Sequence, residues 1–202
     1  MAASGHFFLM GCGGHARSVA DAILADHPAA KITFVDANAG PGEQIMGFDA
    51  VVAAPGGELP GFIPAVGDNR RRQRESEGVE LCSYVSCTAH VGRCSAIGAG
   101  CFVGSGAHIG PETAIGRGTI INTNAVVEHN VQIGAFSHVA PNSTICGGCR
   151  LGDLVLVGAG AILRPGVSVC TDVVIGAGSV VVADITEPGT YVGCPARRVI
   201  PK

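Results

Sequence analysis

With 202 residues, 14% charged and 4% aromatic, and a formal net charge of −3, the chain is long enough for one or two domains and shows no basic excess for nucleic acid or an anionic membrane. Glycine supplies 31 residues, about twice its usual share, and Trp is absent, which favours a repeat core of small and branched side chains over one built on aromatics. No apolar run approaches the ~18 residues of a membrane span and no charged stretch precedes the first apolar segment, so neither a membrane helix nor a signal peptide is expected.

The opening reads as a βαβ unit. Phe7 to Met10 make a short strand, Gly11-Cys12-Gly13-Gly14-His15-Ala16 a turn, Ser18 to Ala25 a helix with Val19, Ala22 and Ile23 on one face, and Ile32 to Val35 a second strand ended by Asp36. The turn fits a loose G-x-G-x-x-A pattern, and Asp36 lies 20 residues beyond Ala16. In that pattern glycines let backbone amides approach phosphate at a helix N-terminus, and the acid takes a ribose hydroxyl. Only about 45 residues remain before a different pattern begins, half of a dinucleotide fold, so a mononucleotide suits the unit better than NAD; a tight turn without ligand is the alternative. Phe62 to Val66 predicts another strand leading into Gly67-Asp68-Asn69, which would bring Gly13, Asp36 and Gly67 to one crevice beyond the strand ends. Arg70-Arg71-Arg72-Gln73-Arg74 reads as the solvated start of a short helix, with a phosphate contact from one arginine as the alternative.

From Val85 to Val181 an aliphatic residue recurs at every sixth position, seventeen times without a miss. Neither a helix nor a simple strand has that period; a fixed hexapeptide stride is the signature of a parallel β-helix, with three hexapeptides to a triangular coil and roughly five coils. Two residues before most aliphatics stands a small or β-branched residue, such as Ala107, Thr113, Thr119, Ser137 or Cys149. Glycine often follows the aliphatic, as at Gly92, Gly110 and Gly158, and is expected to supply the corner dihedrals. No insertion breaks the stride, so no long loop should project. Cys146-Gly-Gly-Cys149 has the spacing of a zinc or redox pair, but no second pair accompanies it and Cys149 fills a small-residue slot, so the structural reading is preferred. Nine cysteines without a secretory signal fit a reducing, cytoplasmic setting.

One stretch of the repeat carries chemistry. Ile121-Asn122-Thr123 leads to Val127-Glu128-His129-Asn130, followed by Phe136-Ser137-His138-Val139. A histidine just past an inward aliphatic sits at an exposed corner, where it can act as a general base near neutral pH. His90 and His108 read as incidental.

A small α/β unit opening Gly11-Cys-Gly-Gly-His15-Ala16 and followed by hexapeptides resembles the bacterial sugar O/N-acyltransferases of the NeuD/PglD type. The block from Ile121 to Val139 resembles that family's active-site block, and Gly193-Cys-Pro-Ala-Arg197 the ending common among hexapeptide acyltransferases. The resemblance implies an α/β Rossmann-like βαβ unit over residues 1–82 that holds a nucleotide-diphosphate-linked amino sugar, and a left-handed parallel β-helix over 83–202. It further implies a homotrimer with each active site between two chains, acetyl-CoA as co-substrate along the helix groove, and no metal. His129 matches the base that accepts the amine proton, with Glu128 and Asn122 as further catalytic candidates. Gly147 matches the position whose N–H faces the thioester carbonyl. His138 matches a residue near the thioester, and Ala159 and Ala177 match coenzyme A contacts. Gly13, Gly14, His15, Asp36, Ala37 and Gly67 match the nucleotide-sugar pocket, with Asn69 beside them as a substrate-binding candidate. The family's N-acetyltransferases place an acid after the catalytic histidine; here that position is Asn130. The expected activity is N-acetylation at C4 of a nucleotide-linked amino-dideoxy sugar. O-acetylation of a sialic-acid-type sugar and a non-catalytic trimeric nucleotide-binding scaffold are the alternatives.

Overall fold

The computed structural model describes residues 5–52 and 61–199. The N-terminal unit runs β1 (His6–Met10), α1 (Gly14–Asp26), β2 (Lys31–Val35), β3 (Gln44–Ile45), β4 (Phe48–Val51), β5 (Phe62–Pro64) and α2 (Asn69–Glu75). Its sheet has the order β3-β4-β2-β1-β5, parallel except for the β3–β4 hairpin. β1 thus lies between strands whose connections leave in opposite directions, the position where open α/β sheets bind ligands. α1 begins at Gly14, four residues before the expected Ser18, because the glycine turn itself winds into the first helical turn. The β3–β4 hairpin has no counterpart in the sequence reading; its strands of two and four residues are too short to show a period.

Residues 84–181 form a parallel β-helix whose strands, mostly two residues long, pair with a constant offset of 18, as in His108↔Val126 and Val126↔Thr144. Three faces result. The first carries Tyr84–Val85, Phe102–Val103, Ile120–Ile121, His138–Val139, Leu156–Val157 and Val173–Ile175; the second runs from His90–Val91 to Val180–Val181, the third from Ala96–Ile97 to Ser168–Val169. The repeating aliphatics stack inward, and Ile109, Val127, Ile145 and Leu163 are fully buried. The first coil is the exception, with Val85 and Val91 at 39% and 38% exposed and Ile97 half-buried, because no coil stacks beyond it.

The corner glycines act differently from expectation. The glycine after an aliphatic is small because the next coil's backbone leaves no room: a Cβ on Gly92 would lie 2.4 Å from Pro111 N, and on Gly110 2.6 Å from His129 N. The left-handed dihedral falls two residues later, at Cys94, Glu112, Asn124, Asn130, Phe136, Asn142, Leu154 and Asp172 as well as at several glycines. Where the small slot inside a corner is Thr, Ser or Cys, it also has a polar purpose. Thr113 Oγ1 donates to Glu128 O at 2.9 Å and accepts from Val131 N at 3.4 Å, bracketing the His129 corner. Cys149 Sγ fills the same role toward Arg164 O at 3.2 Å, which is the structural reading expected of it.

The two parts share a core. Tyr84, Phe102 and Ile120, outward on the first face, pack into the hydrophobic cluster of α1, β1 and β2. The C-terminal tail closes the far end: Gly189–Val192 pairs in parallel with Val173–Ile175, and Arg197–Arg198 folds back on it.

Candidate functional site

A cavity of about 260 Å³ opens beyond the carboxyl ends of β1 and β5, lined by Gly11, Gly13, Gly14, His15, Gly67 and Arg71 among others. Gly11 has φ +107°, and a Cβ there would meet Val66 Cγ2 at 2.8 Å, so only glycine lets the two strand ends approach. Gly13 and Gly14 face open space. Gly13 caps α1 without a side-chain acceptor, leaving first-turn N–H groups toward the cavity.

Asp36, Ala37 and Asn69 lie outside the lining of this cavity. The Asp36 carboxylate, 9% exposed, is spent on the chain: Oδ2 accepts from Cys12 N and Arg71 Nη2, both at 3.2 Å, and Oδ1 accepts from Asn38 N at 3.0 Å. Burial opposes its ionisation, but the Asn38 amide, Arg71 and the Cys12 amide outweigh it and hold the carboxyl below its ordinary range. Asn69 Nδ2 donates to Leu154 O at 3.2 Å and its Oδ1 accepts from Arg72, so this side chain fastens α2 to the β-helix.

The arginine run is not uniformly solvated. Arg70 pairs with Asp172 at 2.5 Å and Arg71 with Glu75 at 2.6 Å, whereas Arg72 is fully buried. Its guanidinium donates to Gly118 O, Val66 O, Gly67 O, Asn69 Oδ1, Phe136 O and Ser137 O, and burial lowers its pKa to about 10. His15 and His138 lie beside it, ring centroids 6.0 Å apart. Burial, with His138 and Arg72 nearby, pushes His15 down to about 3; burial and Arg72 push His138 down to about 4. His138 Nε2 lies 3.1 Å from Asn122 Nδ2, and since Asn122 Oδ1 accepts from Thr123 N, the amide donates and the imidazole accepts as a neutral ring. His15 Nε2 is buried without a hydrogen-bond partner among the described residues.

His129 stands apart from this cluster, exposed on the corner between the second and third faces. That corner is opposite the first face, which carries His138. Its Nδ1 is 2.8 Å from Asn130 Oδ1, and Asn130 Nδ2 donates to Glu112 Oε2 at 2.6 Å. The ring lies over Gly147, where a Cβ would be 2.6 Å from both Cε1 and Nε2. The Gly147 N–H has no acceptor among the described hydrogen bonds. Glu128, half-buried, makes no side-chain hydrogen bond or ion pair among those described. Ala159 and Ala177 share the corner between the first and second faces, exposed and 18 residues apart in adjacent coils. No group of three or more metal-ligating side chains occurs, and no helix is long and apolar enough to cross a membrane, among the described residues.

Residues 6–79 match the model of the PglD N-terminal domain, and residues 112–147 that of the bacterial transferase hexapeptide repeat. The acetyltransferase domain of PglB from Neisseria gonorrhoeae FA1090, solved in complex with acetyl coenzyme A, is 30% identical over 96% of this chain and 98% of its own, with a TM-score of 0.87. The chain belongs to this family, the sugar acetyltransferases of the NeuD/PglD type. PerB from Caulobacter crescentus, solved with CoA and GDP-perosamine, is 29% identical over 98% of both chains with a TM-score of 0.83. WeeI from Acinetobacter baumannii AYE, 18% identical over 96% of this chain and all of its own, shares the fold at a TM-score of 0.81. Comparison with curated protein sequences gave no match. As a member of the family the chain is a CoA-dependent acyltransferase.

Sequence reasoning missed two residues that this acyltransferase brings to its site region. Glu112 lies 18 positions before Asn130, so the coil offset was its only signal. Arg72 was hidden in a run of arginines with no local mark to single it out.

Proposed function

We propose that this chain transfers the acetyl group of acetyl-CoA to the C4 amine of a nucleotide-diphosphate-linked amino-dideoxy sugar. Residues 1–82 hold the sugar nucleotide and the β-helix of 83–202, left-handed as in the family, supplies the chemistry. The observation that carries this reading is the division of the site. The α1 cavity, His15, Gly67 and His138 adjoin one another along the first face, while His129, with its ring over Gly147, whose N–H has no acceptor among the described hydrogen bonds, lies on the opposite corner. A base and an acceptor pocket separated by the width of a prism meet only if neighbouring chains are set side by side, which supports a homotrimer with each site between two subunits. An active monomer in sedimentation equilibrium would overturn the trimer.

Each group then has a task. First-turn amides of α1 and Arg71 take the diphosphate, with Arg71 released from Asp36 to do so and Asp36 freed for a ribose hydroxyl. The groove of small residues at Ala159 and Ala177 accommodates the coenzyme A arm. His129 Nε2 accepts the amine proton as nitrogen attacks the thioester carbon, the Gly147 N–H stabilises the oxyanion, and the C–S bond breaks with the proton passing from His129 to the leaving thiolate. The base contributes about 10²–10⁴-fold and the oxyanion donor about 10²–10³-fold.

Acetyl-CoA, a thiol reagent and a panel of nucleotide-linked amino sugars test the activity: thiol should be released with an amino sugar and not with its hydroxy analogue. Release with free sialic acid alone would establish the O-acetyl alternative, and no release with any acceptor the scaffold. His129→Ala should lower kcat by about 10²–10⁴-fold with little change in either KM; if more than about a tenth of kcat survives, the base is another group.

A further inference from the structure

The hydrogen bonds beyond His129 fix which of its nitrogens is the base. Glu112 Oε2 is a carboxylate oxygen and only accepts, so the Asn130 atom 2.6 Å from it is the Nδ2 donor. Asn130 Oδ1 therefore faces His129 Nδ1 at 2.8 Å and also only accepts. Nδ1 must then carry the proton, which leaves the Nε2 lone pair free at Gly147. The opposite amide orientation would set an amide oxygen against a carboxylate oxygen at hydrogen-bond distance. Glu112 and Asn130 occupy equivalent corner positions one coil apart, both left-handed at φ +58° and +59°, so their side chains leave the backbone in the same direction and meet along the helix axis.

We propose that Glu112 is a positioning residue for the acetyl transfer, an acid displaced by one coil whose charge reaches the base through the Asn130 amide. The proposal rests on the reading of His129 as general base. It accounts for an asparagine where the family's N-acetyltransferases have an acid: the carboxylate is kept, and an amide carries its influence. A relayed carboxylate fixes the productive tautomer and stabilises the imidazolium formed as the amine loses its proton, without lying against the ring. Cys94 and Arg93, in the coil before Glu112, and Glu128, Cys146, Cys149, Arg164 and Asp184, in the following coils, are the other titratable or charged groups on this corner. They are unchanged in the variants below, so a difference profile isolates Glu112.

The test uses the full chain with acetyl-CoA and GDP-perosamine as the acceptor probe, thiol release measured from pH 6 to 9. Glu112→Gln removes the charge at constant shape. It should lower kcat by about three- to tenfold, the weight of one partly screened charge several ångströms away, and move the acid limb of the kcat/KM profile to lower pH, with KM for acetyl-CoA unchanged. Exchanging the pair, Glu112→Gln with Asn130→Asp, puts the acid against the ring and lets the Gln amide donate to it, and should restore the wild-type rate and limb. A wild-type profile in Glu112→Gln, or a folded double variant as slow as the single one, overturns the proposal. A second readout does not need turnover. In ¹⁵N histidine spectra, the His129 signals, identified by their loss in His129→Gln, should show one tautomer with Nδ1 protonated in wild type and a mixture in Glu112→Ala. Identical spectra also overturn the relay. If wild type acetylates no amino sugar, the functional reading fails while these spectra still decide the relay.

Discussion

At the scale of single residues, Gly147 is the position where an added methyl would act directly on the proposed base. Its φ is an ordinary one for an L-residue, so alanine costs no backbone strain there. What forbids it is the His129 ring: atoms 2.6 Å from a Cβ must move. Since displacement of a catalytic group by about 1 Å can cost 10²-fold, Gly147→Ala should lower kcat by about two orders of magnitude. Its thermal unfolding should stay close to wild type, because the ring is exposed and can swing outward. A Gly147→Ala enzyme with wild-type kcat would show that the ring does not act from this pose. His129 is singled out in the sequence as a polar interruption of an inert repeat, and Gly147 by its match to the family. Glu112 is not, because it looks like any corner residue until coils are laid 18 apart. The same offset explains why glycine after each aliphatic was misread as a dihedral requirement: sequence displays the small residue, not the backbone of the next coil pressing on it.

At the scale of elements, α2 is the part that composition misrepresents. Four cations in seven residues suggest a solvated helix, yet this one lies along the corner between the third and first faces. It contacts that corner coil by coil: Arg72 reaches Gly118 and Phe136, Asn69 reaches Leu154, and Arg70 reaches Asp172. The partners recur every 18 residues, so the helix reads the pitch of the β-helix. Burying the Arg72 guanidinium without a carboxylate is costly, and by that cost alone its removal would be stabilising. The acceptors decide otherwise, since backbone carbonyls stay behind when the side chain goes, and each buried group left unsatisfied costs about 1–3 kcal/mol. Arg72→Met should therefore destabilise the protein by more than about 3 kcal/mol, read as a lower urea midpoint. Arg72→Lys should recover part of the loss, having fewer donors and no planar fork. A Met variant as stable as wild type would mean that water replaces the guanidinium.

At the scale of the whole molecule, the three faces divide the labour. The first packs against the N-terminal unit through Tyr84, Phe102 and Ile120; the third shows outward Gln132, Arg150 and Ser168; the second presents outward His90, His108, Val126, Thr144, Ile162 and Val180, Ile162 being 42% exposed. A partly apolar face on a chain with so few charges is where the proposed trimer would close. The inward stride fixed this prism plainly in the sequence, whereas the outward residues that assign each face follow no stride at all.

The seam between unit and prism should also make stability depend on pH. His15 and His138, half-buried beside Arg72, have folded-state values of about 3 and about 4 against an ordinary value of 6.5, so between these limits the unfolded chain binds more protons than the folded one. Their contribution is complete above about pH 6.5 and is lost as pH falls toward about 4. Each proton taken up only on unfolding adds about 1.4 kcal/mol per pH unit to the slope. Asp26 separates cleanly from this window. Although burial opposes it, hydrogen bonds from Cys87 and Tyr84 hold it down to about 2, so its loss comes only as pH falls below its ordinary 3.8. Urea midpoints measured from pH 7.5 to 3 should fall steadily in wild type below about pH 6.5, and less steeply over pH 6.5–4 when His15 and His138 are both replaced by Gln. Equal slopes in the two proteins would show that neither ring is held neutral at the seam. A slope confined to pH below 4 would assign the acid sensitivity to carboxylates such as Asp26 instead.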